Sequence, residues 1–170
     1  MNLKNIFLPA FLFMTILSST QAQPENRKVK AKPTILFVCE HGAARSTVAA
    51  AYFNKIVKEK GLNYQAVFRG TDPDTILTPG TKKGLTEDGF DVKDWKPLMV
   101  TTADVNNAFQ IVTFDCTLPL KDSISKPISK WDGIPPISKG YKIARDQIVE
   151  KVEALISELP KKPKKKRRHH

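Results

Sequence analysis

A cysteine and an arginine stand six positions apart in Cys39-Glu40-His41-Gly42-Ala43-Ala44-Arg45-Ser46, directly after an apolar run from Thr34 to Val38. That pairing suits a thiolate nucleophile placed beneath a tetrahedral oxyanion. The five residues between them can curl so that successive backbone N–H groups point inward and form an anion-binding nest. The start of a following helix adds its own unpaired N–H groups and its positive dipole end. Arg45 supplies a planar fork of donors matched to two oxygens of a phosphate-like group. The same positive field favours the thiolate of Cys39, which is the reactive form. Gly42, Ala43 and Ala44 are small enough to let the backbone approach a ligand, and Ser46 is within reach of the sulfur. Glu40 to Ser46 is therefore the expected oxyanion cradle. A small, buried and inert cysteine at the end of a strand is the plain alternative. The strand before the loop and the helix after it supply the context the functional motif requires.

The elements that must hold this loop follow from hydrophobic periodicity. Ile35 to Val38 has the unbroken apolar character of a buried parallel strand. Val48, Ala49, Tyr52, Phe53, Ile56 and Val57 recur at helical spacing between Ser46 and Lys60, ahead of Gly61. Tyr64 to Phe68 predicts a second strand, Thr81 to Asp88 a short helix stopped at Gly89, and Thr102 to Asn107 another. Gln110 to Phe114 predicts a third strand and Ile128 to Trp131 a fourth. Tyr141 to Leu159 is the clearest helix, with Ile143, Ile148, Val152, Leu155, Ile156 and Leu159 on its apolar stripe and Pro160 ending it. Strands alternating with helices imply a parallel sheet covered on both faces, with ligands at the carboxyl ends of its strands. Tyr52, Phe53 and most other aromatics read as core.

The cysteine loop resembles the Cys-x5-Arg-Ser loop of the low-molecular-weight protein tyrosine phosphatases and the related thioredoxin-type arsenate reductases. Phe68-Arg69-Gly70-Thr71 with Pro79, Gly89-Phe90-Asp91-Val92 with Trp95-Lys96-Pro97, and Ile111 to Asp115 extend the likeness. Trp131-Asp132 through Arg145-Asp146 carries it to the final helix, so that it spans Thr34 to Leu159. The resemblance implies an α/β fold of three layers around a doubly wound, four-stranded parallel sheet. It also implies a cysteine-dependent hydrolase that needs no cofactor. Cys39 would attack phosphorus while loop N–H groups and Arg45 stabilise the equatorial oxygens. A carboxylic acid would protonate the leaving group and then activate water.

The family takes that acid from an Asp directly before a Pro. Here the segment reads Trp131-Asp132-Gly133-Ile134-Pro135-Pro136, which puts Pro135 at the acid's place. Asp132 is the nearest candidate, given a shift of its loop, and Asp115 at the end of the third strand is the runner-up. The paired aromatics that many tyrosine phosphatases carry beside this acid are missing. His41-Gly42 replaces the usual Gly-Asn, leaving His41 to brace the loop or face the ligand. Cys116 lies where the reductases carry a resolving cysteine, and is a candidate redox partner of Cys39 or a buried inert thiol. Those reductases relay their disulfide to a third cysteine, whereas this chain has two. Three functions therefore stand: a phosphomonoesterase, an arsenate reductase drawing on an external thiol, and an oxyanion-binding module without turnover. The three histidines, His41 and the terminal pair, offer no metal-ligand cluster.

The termini differ in kind. Residues 1–22 read as a signal peptide: Lys4 is the positive start, Ile6 to Leu17 the apolar centre, and Ser18 to Ala22 the small residues before a cut. The expected location is the periplasm or the cell exterior. Residues 23–33 form a basic linker, 34–160 the domain, and 161–170 a basic, disordered tail. The net charge of +11 is confined to these ends, because Thr34 to Pro160 holds equal numbers of basic and acidic side chains. Such terminal blocks are commonly solvated. The charge gives no footprint for specific nucleic-acid binding, and the tail's expected contact is with anionic surfaces.

Overall fold

The structure, a computed structural model, describes residues 31–119, 126 and 128–161. The signal-peptide and basic-tail expectations, and most of the linker, fall outside those residues. Four strands, β1 (Thr34–Cys39), β2 (Gln65–Gly70), β3 (Ala108–Phe114) and β4 (Ile128–Lys130), pair in parallel in the order β2-β1-β3-β4. Between and after them run α1 (Arg45–Glu59), α2 (Pro79–Glu87), α3 (Thr102–Asn107) and α4 (Tyr141–Glu158). This is the three-layer α/β arrangement with a four-stranded parallel sheet.

The unbroken apolar run makes β1 the central strand, because only a strand covered on both faces can bury every residue from Ile35 to Cys39. Ile35, Phe37 and Cys39 join the cluster beneath α1 and α4, while Leu36 and Val38 join Val105 and Leu118 on the opposite face. Phe37 is the hub of the larger cluster, with the rings of Phe53, Phe114 and Trp131 centred 6.0, 6.3 and 5.6 Å away. Phe53 is fully buried, but Tyr52 is only partly so and its hydroxyl donates to Asp88.

Two details of the helices depart from the sequence expectation. Ile143 does not join the buried stripe of α4 and is 59% exposed. The buried face runs through Ala144, Ile148, Val152, Leu155 and Ile156, so a small residue takes the first contact and the larger neighbour turns outward. Helix α2 starts earlier than expected, at Pro79, because Thr78 caps it by accepting the Thr81 N–H and Pro79 occupies the first turn.

The outer edge of β2 is closed locally. The Asn54 amide accepts the Ala66 N–H at 2.8 Å and donates to the Ala66 carbonyl at 3.0 Å. The Gly70 N–H donates to Leu98, and Val100 donates back to Gly70. These bonds occupy groups that would otherwise template another strand. From β1 the chain moves to one side for β2 and then crosses to the other for β3. The carboxyl ends of β1 and β3 therefore border a switch point, where open α/β sheets bind ligands. Cys39 ends β1 opposite Phe114, and Asp115 follows.

Phe37→Ala is expected to destabilise the domain by about 3–5 kcal/mol, the cost of emptying an aromatic site at the centre of a packed cluster. Denaturant melts of the two proteins would show the midpoint fall; a loss under about 1 kcal/mol would mean the cluster collapses to fill the gap.

Candidate active site

The loop after β1 is held from behind through its carbonyls. The Cys39, Glu40 and His41 oxygens accept the N–H groups of Thr71, Asp72 and Asp74 at 3.1, 2.8 and 3.0 Å. The Gly42 oxygen accepts the Thr47 hydroxyl at 2.8 Å, Ala43 accepts the Thr78 N–H at 3.1 Å, and Ala44 accepts the Val48 N–H at 3.0 Å. In a planar trans peptide the next N–H points opposite to its carbonyl. Six carbonyls engaged on the outer side therefore turn the N–H groups of residues 40 to 45 toward the interior of the loop. This arrangement has tight steric limits. A Cβ on Gly70 would lie 2.9 Å from the Glu40 oxygen and the Gly42 nitrogen. One on Gly42, whose φ is +60°, would lie 2.8 Å from the Gly70 nitrogen. Only glycine fits at either position.

Helix α1 opens at the loop without a side-chain cap and without an acidic residue in its first turn. Its dipole and its first N–H groups are left for a bound anion. The Cys39 sulfur sits 3.0 Å from the Ser46 hydroxyl oxygen, and Ser46 is fully buried. Cys39 itself is only 4% exposed, so a reactant must enter the cleft to meet it. That cleft, about 310 Å³, has Cys39, Glu40, His41, Ala44 and Arg45 at its base. Thr78-Pro79-Gly80 forms one wall and Pro136-Ile137-Ser138 the other. Gly42 and Ala43 lie buried behind the loop rather than at its open face.

Arg45 reaches across the switch point. Its guanidinium donates to the Ile134 carbonyl at 3.0 Å and ion-pairs with the Asp115 carboxylate. The other Asp115 oxygen accepts the Gly133 N–H at 3.0 Å. The Gly133 bond and, after it, Arg45 hold Asp115 below the usual carboxylate range despite partial burial. Asp115 has a φ of +44°, a left-handed conformation that aspartate tolerates better than most residues. Asp132, the sequence's first candidate for the acid, is exposed, stands outside the cleft lining, and accepts the Asp115 N–H at 3.0 Å. The two carboxylates thus brace one corner, with Asp115 at the arginine and Asp132 behind it.

His41 braces the loop. Its Nδ1 lies 3.2 Å from the Asp72 carbonyl, which can only accept, so that nitrogen carries the hydrogen. Its carboxylate neighbours are Asp74 at 3.7 Å and Glu40 at 3.9 Å. Cys116 is a free thiol, as is Cys39. It packs against the cluster on the sheet face opposite Cys39 and points at the Val38 carbonyl, 3.5 Å away. Burial raises its pKa, and so disfavours its thiolate. The structure therefore brings together Cys39, Glu40, His41, Ala44 and Arg45 around one opening, keeps Ser46 buried against the sulfur, and sets Asp132 and Cys116 outside it. The walls were missed by sequence reasoning, although Thr78-Pro79 carried the signal of a helix start. Among the described residues no cluster of His, Cys, Asp or Glu could hold a metal ion.

The fold and the loop together define a class of α/β proteins that present a cysteine to a bound oxyanion at a sheet switch point. Residues 34–127 match the model of the low molecular weight phosphotyrosine protein phosphatases, and the chain belongs to that family. Solved structures agree on the fold. YfkJ from Bacillus subtilis aligns at a TM-score of 0.65 and 19% identity, over 74% of this chain and 93% of its own. A low molecular weight protein tyrosine phosphatase from T. tengcongensis gives 0.63 and 19%, over 75% of this chain and all of its own (100%). An arsenate reductase from Archaeoglobus fulgidus gives 0.57 at 28% identity, over 73% of this chain and 99% of its own.

An oxyanion drawing on the Arg45 fork would have to displace Asp115 from it. Asp115→Asn is expected to tighten sulfate binding at neutral pH by about 1.5-fold to fivefold, the worth of removing a partly exposed ionic competitor. Because Asp115 is depressed, its pair with Arg45 is intact above the ordinary aspartate value of 3.8 and is lost as pH falls through the lower folded value. Sulfate affinity of the wild type should therefore rise over that acidic range, while the Asp115→Asn protein shows no such rise. Calorimetric titration at several pH values checks both; equal affinities throughout would remove Asp115 as a competitor.

Proposed function

We propose that this protein is an exported phosphatase that hydrolyses a phosphomonoester through a cysteinyl-phosphate intermediate. The observation that supports it most is the outward fixing of six loop carbonyls, which turns the N–H donors of residues 40 to 45 toward the cleft that Cys39 and Arg45 line. In the first step the thiolate forms an S–P bond as the bond from phosphorus to the leaving oxygen breaks, and a carboxylic acid gives that oxygen its proton. The loop donors meet the equatorial oxygens as charge builds there. In the second step water attacks phosphorus, the same carboxylate takes its proton, and the S–P bond breaks to return the thiolate and release phosphate. The Ser46 hydroxyl beside the sulfur stabilises the departing thiolate. The acid in this reading belongs to the Asp115–Asp132 corner, with Asp132 swinging in once the oxyanion has taken Arg45.

A second reading, arsenate reduction with an external thiol, draws support from the likeness to the Archaeoglobus fulgidus arsenate reductase. A direct Cys39–Cys116 relay fits this arrangement poorly, because the two thiols pack on opposite faces of the sheet. The third reading, oxyanion binding without turnover, uses the same cradle and needs no acid.

Cys39→Ser is expected to reduce hydrolysis of 4-nitrophenyl phosphate by about a thousandfold or more, as loss of a nucleophile does. Asp132→Asn should lose about a hundredfold on phenyl phosphate, a poor leaving group, and much less on the nitrophenyl ester. If Asp115→Asn shows that pattern instead, the acid is Asp115; if neither does, the acid lies elsewhere. Wild-type inactivity on all esters, with thiol-dependent production of arsenite, would favour the reductase.

Export is supported by the charge and apolar pattern of residues 1–22. Expression of the full chain in a bacterial host should yield a periplasmic protein beginning at Gln23. An uncut, cytoplasmic product on fractionation and N-terminal sequencing would reject the proposal.

A further inference from the structure

The two walls of the cleft belong to helical segments that meet in three matched layers. On α2, Gly80, Gly84 and Asp88 follow one another at four-residue spacing, with Asp88 just past the last turn, and so share a face. Opposite them Ile137, Tyr141 and Arg145 follow at the same spacing along the short 3-10 turn Ile137–Lys139 and the start of α4. In the first layer, at the mouth, a Cβ on Gly80 would lie 3.3 Å from the Ile137 methyl. In the second, a Cβ on Gly84 would lie 2.4 Å from the Tyr141 ring, so the ring rests on bare backbone. The third layer is polar. Asp88 accepts the Tyr141 hydroxyl at 2.5 Å, the Tyr52 hydroxyl at 2.7 Å and the Arg145 guanidinium at 2.9 Å. Burial works against the Asp88 charge, but these three donors outweigh it and keep the carboxylate ionised. Burial, and then the bond to Asp88, raise the pKa of the Tyr141 hydroxyl, which stays a donor.

We propose that this glycine-and-tyrosine packing sets the width of the cleft, making Gly84 and Tyr141 positioning residues that decide which groups can accompany an oxyanion to Cys39. Neither residue lines the cleft. They act one helical turn below its rim, through Gly80 and Ile137, which do. Close contact at Gly84 brings the walls together, so that a flat or slender substituent is admitted and a branched one is turned away. A bulkier residue at 84 props the walls apart, and a smaller one at 141 lets them settle inward. The substrate class is thus a phosphoryl group on a slender or planar carrier, presented end-on. The proposal deepens the phosphatase reading, but its test uses binding alone, so an absence of turnover leaves it standing or falling by itself.

The probes are methylphosphonate, which occupies only the loop, benzylphosphonate, which is planar, and diphenylmethylphosphonate, which is branched. Their affinities are measured by calorimetry for the wild type, Gly84→Ala, Tyr141→Leu and Tyr141→Phe, with circular dichroism to establish folding. Gly84→Ala is expected to raise branched-to-planar relative affinity by about tenfold, the size of a one-methylene discrimination, with methylphosphonate unchanged. Tyr141→Leu is expected to lower it. Tyr141→Phe keeps the ring on Gly84 and loses only the bond to Asp88; it should melt earlier yet keep the wild-type order of affinities. Should Gly84→Ala fail to fold, the contrast between Tyr141→Leu, which lowers the ratio, and Tyr141→Phe, which keeps it, carries the test. A folded Gly84→Ala or Tyr141→Leu protein with the wild-type affinity ratio would overturn the proposal. So would a Tyr141→Phe protein that shifts the ratio as much as Tyr141→Leu.

Discussion

The site depends on one constraint: the carbonyls of the cysteine loop must be satisfied on the side away from the cleft. A peptide unit cannot show its N–H to an anion without sending its carbonyl the other way. A buried carbonyl without a donor is costly. The segment from Thr71 to Thr78 meets that need with four backbone N–H groups, and α1 meets it with Val48 and the Thr47 hydroxyl. What looks like a connection between β2 and α2 is therefore the back wall of the anion cradle. The contact is close enough that Gly42 and Gly70 leave each other no room for a side chain.

Electrostatics at the switch point follow from the same geometry. The cradle concentrates backbone dipoles, a helix N-terminus and a guanidinium in one place, and positive potential of that kind attracts a nearby carboxylate. Asp115 is near because β3 ends level with β1. Its left-handed backbone and the Gly133 bond aim the carboxylate at Arg45. The ion pair has two consequences that pull in opposite directions. It fixes the arginine close to where an oxyanion would need it, which lowers the ordering cost of binding. It also fills the fork, so that any ligand must compete with an internal carboxylate.

The sequence made the sheet and the cysteine loop legible for a physical reason. A strand buried on both faces has to be continuously apolar, and a thiol that attacks a bound oxyanion needs its anion cradle in the same few residues. Both signals are local, and β1, the loop and α1 carried them. The cleft walls were less legible because they arise where two helices meet. Gly80 and Gly84 look like ordinary breaks in a helical pattern until Ile137 and Tyr141 are seen against them. Ile143 misled for the related reason that apolarity alone does not choose a face. With Ala144 set against the core, the helix rotates its larger neighbour outward. Asp115 and Asp132 were named as candidates, but their division of labour depends on which backbone N–H each accepts, and that is a matter of tertiary geometry.

The segment from Trp131 to Ser138 shows how one change in a loop redistributes several duties. Two consecutive prolines stand where the family resemblance implies a carboxylic acid followed by proline. Proline cannot donate a backbone hydrogen bond and fixes its own φ, so Pro135-Pro136 stiffens the approach to the 3-10 turn. Pro136, with φ −61° and ψ 146°, leads straight into that turn, and the residues after it face the cleft as a wall. The carboxylates are displaced to the start of the segment and to the end of β3, where each accepts a backbone N–H from the other's loop. In this position Asp115 holds Arg45 and Asp132 braces the corner behind it. A bound oxyanion that took Arg45 would release Asp115 from its pairing and loosen the corner that keeps Asp132 outside the cleft. On the proposed phosphatase reading, the substrate itself would free the acid, coupling proton transfer to anion binding through a single guanidinium.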